Sequence, residues 1–130
     1  MAAFKNAILM IPQAEYDAWT HSPQVAAVLS CYGDRMKTFG MTETLPNGVV
    51  SIPIPGHTPG HTAYVVGDKL IAGDIMHGVA LQLENPEVCA RFDMNQEDAV
   101  ASRKMLIDIA KENGLTMYGM HFPAPYYIEF

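Results

Sequence analysis

Three short runs in the middle of the chain, residues 49–54, 62–66 and 69–72, constrain its fold most. Val49, Val50, Ile52 and Ile54 in the first, and Tyr64, Val65 and Val66 in the second, place apolar groups on both faces of a pleated strand. Strands of this kind expect cover on both sides. Their turns are legible as well. Leu45-Pro46-Asn47-Gly48 leads into the first strand with an Asn-Gly pair suited to positive φ, and a tight Gly67-Asp68 turn joins the last two.

The flanking segments supply helices and further strands. Residues 7–11 read as a short buried strand closed by Pro12, and residues 13–20 as one or two helical turns with Tyr16 and Trp19 on one face. Ser22-Pro23 is a good helix start. Behind it Val25, Val28, Leu29, Tyr32, Met36 and Phe39 form an amphipathic stripe, which predicts a helix running until Gly40. Residues 83–92 look irregular. Asn95 is placed to cap a helix reaching about residue 113, with Glu97 and Asp98 in its first turn and Gly114 after its end. Residues 115–120 and 126–130 read as two more strands. The sum is a single two-layer α/β domain, residues 1–130, whose helices can cover only one face of a sheet. The other face calls for a second sheet.

Composition excludes some partners. The net charge is −6 and the eight basic residues are scattered, which argues against nucleic acid and against an anionic membrane surface. An apolar content of 49% is ordinary for a globular chain, so wholesale disorder is not expected. Cys31 and Cys89 form no CxxC pair and read as buried or free thiols. The apolar run at residues 7–11 is too brief for a signal-peptide core or a membrane span, so the expected location is cytoplasmic.

Chemistry concentrates at three places. The first is Pro55-Gly56-His57-Thr58-Pro59-Gly60-His61-Thr62, the second Ile71-Ala72-Gly73-Asp74, and the third Gly119-Met120-His121-Phe122-Pro123. His61 opens a strand, while Asp74 and His121 each follow one. Three ligand-type side chains at strand ends can converge on one edge of a sheet, and histidine with aspartate suits a borderline cation such as zinc. His57 stands four residues before His61, but Pro59-Gly60 forbids the helix that would put both on one face. His77, three residues after Asp74, is placed to line a pocket or support a ligand. His21, beside a helix start, reads as solvated.

In this order the three motifs resemble the C-terminal part of a metallo-β-lactamase-fold hydrolase, over roughly residues 7–125. Residues 11–19 and 95–103 resemble segments of its lactonase-like and organophosphate-hydrolase-like branches. The resemblance implies half of an αββα sandwich, a mixed sheet with helices on one face. It implies that His61 binds a first metal, that Asp74 bridges two metals and is the catalytic carboxylate, and that His121 binds the second. His57 would brace the loop, and with His77 would stand just outside the ligands. One or two zinc ions are the implied cofactor, with manganese or iron as alternatives. The implied reaction is hydrolysis of an ester, lactone or phosphoester in a small-molecule substrate by metal-activated water.

The family's His-x-His-x-Asp-His signature appears nowhere in the 130 residues. On the family pattern each metal would then keep one private ligand and the shared aspartate, below the three protein ligands usual for catalytic zinc. The expectation is therefore a truncated domain with an incomplete site and weak or no activity as a monomer. It would be completed by a homodimer through the bare sheet face or by a missing N-terminal half. The alternative is a non-catalytic, self-associating remnant or split-protein subunit.

Overall fold

A computed structural model describes residues 1–41 and 43–130. Strand β1 (Leu9–Pro12) runs directly into helix α1 (Gln13–Trp19), and α2 (Pro23–Ser30) follows. Strand β2 (Met36–Phe39) then pairs in parallel with β1, from Leu9 against Met36 to Pro12 against Phe39. Six strands form the main sheet: β3 (Thr44–Leu45), β4 (Val49–Pro53), β5 (Thr62–Val66), β6 (Lys69–Ile71), β7 (Thr116–Tyr118) and β8 (Tyr127–Ile128). They lie side by side in chain order. All pairs are antiparallel except β6 with β7, whose crossover carries α3 (Val79–Glu84) and α4 (Gln96–Asn113).

The long helix expected across residues 23–39 does not form. Its apolar spacing is real, but α2 stops at Ser30, Gly33 turns the chain at φ +53°, and Met36 to Phe39 are extended. Two forces favour this outcome. Gly33 adopts the left-handed conformation without the cost a side chain would impose, and β1 needs a ladder partner for its backbone groups. Phe39 is buried in the new position, whereas Val28 of the stripe is 59% exposed. Tyr16, Trp19, Val25 and Leu29 do share one shallow apolar cleft between α1 and α2.

Elsewhere the elements fall where the residues place them. The Asn95 side chain accepts the Asp98 amide at the start of α4, and Gly114 closes the helix. α3 holds Leu83 and Glu84, so the irregular stretch expected from residue 83 begins two residues later.

Register sorts the sheet into two faces. Val65, Leu70, Met117 and Ile128 lie opposite one another across β5 to β8. With Ile54, Ala63 and Ala72 they pack under Leu106, Ile107 and Ala110 of α4, and this is the core. The opposite face carries the row Tyr64, Ile71, Tyr118 and Tyr127. Ile71 is 43% exposed and Val66, on the same face, 46%. The sheet is thus helix-covered on one side, while on the other Val66, Ile71 and Tyr127 are exposed and Tyr64 and Tyr118 half-buried. Among the described residues, no helix is long and apolar enough to cross a membrane.

Candidate metal centre

β4, β6 and β7 point the same way, so the loops that follow them emerge at one edge of the sheet. Those loops carry His57 and His61, Asp74 and His77, and His121. Each is tied down by backbone. The first is closed by the Ile54 amide donating to the His61 carbonyl at 2.8 Å. It is held to α4 by Ser102 Oγ donating to the Pro55 carbonyl, 2.7 Å, and by the Asn95 amide donating to the Gly56 carbonyl, 2.9 Å. Glu15 of α1 accepts the Gly60 amide from the other side at 2.9 Å. The second and third loops are locked together where the Met120 amide donates to the Gly73 carbonyl, 3.0 Å.

Asp74 is the centre of the arrangement. Its Oδ2 lies 3.4 Å from His57 Nε2 and its Oδ1 3.4 Å from His121 Nε2. Neither contact has the 2.7–2.9 Å length of a strong charge-assisted hydrogen bond. Both match the roughly 3.4 Å that separates two ligands held about 2.1 Å from a tetrahedral ion. His57, Asp74 and His77 offer donor atoms that all fall within 4.8 Å of one another. The His77 ring lies 5.0 Å from His57 and 4.6 Å from His121 between centroids.

The two histidines of the Pro-Gly loop are exchanged in position relative to expectation. His57, expected to brace the loop, faces the carboxylate. His61, expected as a ligand, lies behind it, where its Nε2 accepts the Asp74 amide at 3.2 Å. A nitrogen whose lone pair receives an N–H has none left for a metal. Gly73, at φ +56°, makes this packing feasible, since a Cβ there would stand 2.6 Å from His61 Nε2. Burial, and then the neighbouring His57, push the His61 pKa below the usual imidazole value. Burial lowers that of His77 too, followed by the effects of His121 and His57. Both shifts favour the neutral ring, which is the form that binds metal or accepts a hydrogen bond.

Behind the ligand-type residues stands a support that the sequence reading missed. Asp93 Oδ1 is 3.1 Å from His57 Nδ1, and its Oδ2 accepts the Ala90 amide at 2.9 Å. Arg103, almost wholly buried, places Nη2 3.8 Å from Asp93 Oδ2 and donates through Nε to the Ile75 carbonyl at 2.9 Å. Gln82, also buried, accepts the amides of His77 and Gly78 through one oxygen, 2.7 and 2.9 Å. Phe92 stands over the cluster, edge-on to His77 with 4.6 Å between centroids.

The residues fit a divalent cation. The donor set is imidazole and carboxylate, and Asp74 Oδ1, His77 Nδ1 and His61 Nδ1 are buried without a hydrogen-bond partner. Buried polar atoms are rarely left so. His57, with an acid on its far nitrogen, has the posture of a metal-bound histidine held by a carboxylate.

Comparison with solved structures matches this architecture. A hydrolase of the β-lactamase superfamily, AbOPH, superposes on 97% of the chain with a TM-score of 0.82 at 25% identity. The fold is that of the metallo-β-lactamase superfamily. AidC, a dizinc quorum-quenching lactonase, matches 95% of the chain at a TM-score of 0.75 and 21% identity. A probable metal-dependent hydrolase from Staphylococcus aureus matches 95% at 0.66 and 22%. The chain spans about half of each of these structures: 51%, 51% and 46%. In sequence, 76 residues are 37% identical to a putative HMP/thiamine-binding protein, YkoF, of Bacillus subtilis, over 58% of this chain and 37% of that one. No protein-family model matches the chain.

Proposed function

We propose that this chain is the metal-carrying C-terminal half of a metal-dependent hydrolase that cleaves an ester, lactone or phosphoester, an uncharged ester or lactone being preferred. The observation that carries the reading is the pair of 3.4 Å contacts from opposite oxygens of Asp74 to His57 and His121. Divalent ions held between Asp74 and each histidine would lower the pKa of water and polarise the scissile bond. Asp74 links the two histidines. Asp93 orients His57 and keeps its Nε2 turned inward. Phe92 and Met120, 56% and 76% exposed beside the cluster, form an apolar rim suited to an uncharged substrate.

Three side chains at one edge do not make the two-metal site of a dizinc lactonase. Full activity therefore needs ligands from a second segment, supplied by a partner copy or by an N-terminal half. The row Tyr64, Ile71, Tyr118 and Tyr127, in which Ile71 and Tyr127 are exposed, favours such a partner, since burying it would remove apolar surface from water. The same row also supports the alternative, a non-catalytic protein whose task is association. The partial likeness to a putative thiamine-binding protein is a further reason to keep a binding role in view.

The deciding experiment measures metal content and lactone, ester and phosphotriester hydrolysis on the purified chain, with Asp74→Asn beside it. Bound metal with turnover above the Asp74→Asn background supports the hydrolase. Metal-free protein whose stability is unchanged by Asp74→Asn would sink it and favour the associating remnant.

A further inference from the structure

We infer that His77 is itself a metal ligand, and that with His57 and Asp74 it forms a one-metal site contained within this chain. This rests on the reading above that the cluster binds a cation, and it changes the count. With His57, Asp74 and His121 divided between two metals, each ion would have two ligands here, fewer than the three usual for catalytic zinc. With His77 included, three donors lie within 4.8 Å of one another. His121, whose Nε2 is 3.4 Å from the free oxygen of Asp74 and whose ring is 4.6 Å from that of His77, stands on the exposed side as a fourth.

The site is built rather than incidental. His77 does not wave from a surface loop. Its amide and that of Gly78 both donate to Gln82 Oε1, and Gln82 Nε2 donates to the Val88 carbonyl at 2.8 Å, so a buried amide fixes the backbone that carries the ring. Phe92 packs edge-on against the same ring. His77 Nδ1 is buried and meets no hydrogen-bond partner, an arrangement that costs free energy unless something else occupies it. His57 is fixed by Asp93 and Asp74 by its backbone amide on His61. Each of the three donors is thus aimed by a group outside the trio. A site held in this way loads metal without a partner, so one ion per monomer is its signature.

The test is zinc titration of the chelator-treated full chain by calorimetry, with His77→Ala, and with His21→Ala as the control. The inference expects one zinc per chain, affinity lowered by about 100-fold or more in His77→Ala, and no change in His21→Ala. Loss of an outer-shell support would cost about 10- to 100-fold on its own, so affinity alone does not separate ligand from support. The separating readout is the nitrogen NMR spectrum of the wild-type histidine rings with and without zinc, which needs no variant to fold. A ring nitrogen of His77 that shifts on zinc binding, as one of His57 does, establishes the ligand. If His57 shifts and His77 does not, the inference falls while the metal-binding reading stands. If the wild-type chain binds no zinc, both fall.

Discussion

Asp93 Oδ1 lies 3.1 Å from one nitrogen of the His57 ring while Asp74 Oδ2 lies 3.4 Å from the other. One imidazole thus spans two carboxylates, a buried one that orients it and a partly exposed one that works with it. Removing either should have different consequences. Asp93→Asn keeps the shape and is expected to weaken zinc binding by about 10- to 100-fold, as other supporting carboxylates do. Both changes strip the buried Arg103 of its acidic neighbour and should destabilise the fold by about 3 kcal/mol, Asp93→Ala more so because it also removes the acceptor of the Ala90 amide. Calorimetry and urea denaturation of the two variants separate the effects, and wild-type stability of Asp93→Asn would contradict the assigned ion pair.

His61 gives the metal-free protein a pH dependence. Burial sets its folded-state pKa below the unfolded value of about 6.5, so the unfolded chain takes up the proton first. The neutral ring's contribution is fully present above that value and lost as pH falls through the folded-state pKa. Protonation also removes the acceptor for the Asp74 amide, a loss on the order of 1 kcal/mol. Denaturation midpoints measured from about pH 7.5 to 5 should fall for the wild type and fall less for His61→Gln. A flat wild-type profile would rule this role out.

Gly73→Ala should be disproportionately harmful for a one-methyl change. The added Cβ meets His61 Nε2 at 2.6 Å, and φ +56° disfavours any side chain by about 1–2 kcal/mol. Thermal denaturation should show that loss, and zinc affinity should fall with it, because Asp74 is the next residue. Unaltered affinity would mean that the aspartate is positioned independently of His61.

The partly exposed sheet face predicts self-association. If a second copy covers it, light scattering at micromolar concentration should give a dimer for the wild type and a monomer for Ile71→Lys, a change at an exposed position in the middle of the row. A wild-type monomer would leave the face to an N-terminal half, and adding that half in trans should then restore hydrolysis.

Local chemistry was legible in the sequence wherever one segment decides its own structure. The β5–β6 hairpin around Gly67-Asp68 and the capped helix from Asn95 to Gly114 needed nothing from elsewhere. The segment at residues 31–39 misled because an apolar stripe records burial but not which partner supplies it, and β1 claimed Met36 to Phe39 as a strand. Asp74 and His121 stand out in the sequence by their position after strands, and the fold brings them within 3.4 Å of each other. The exchange of His57 and His61 was hidden, since both follow a Pro-Gly pair and only the backbone amide of Asp74 distinguishes them. Asp93 was invisible for a simpler reason: it lies 36 residues from the histidine it supports, in a stretch without periodicity.

The parallel pairing of β6 with β7 has a kinetic consequence. Every other pair in the main sheet joins neighbouring strands through shorter connections, but this one closes only after α3 and α4 have been laid across the sheet. Non-local pairing of that kind must overcome loop-closure entropy first and forms late in folding. His57, Asp74 and His77 belong to the part of the chain that precedes this step, while His121 arrives with β7. Zinc caught early by the first three would favour the docking of the last, so the refolding rate of the β7–β8 edge, followed by hydrogen exchange, should rise with metal concentration.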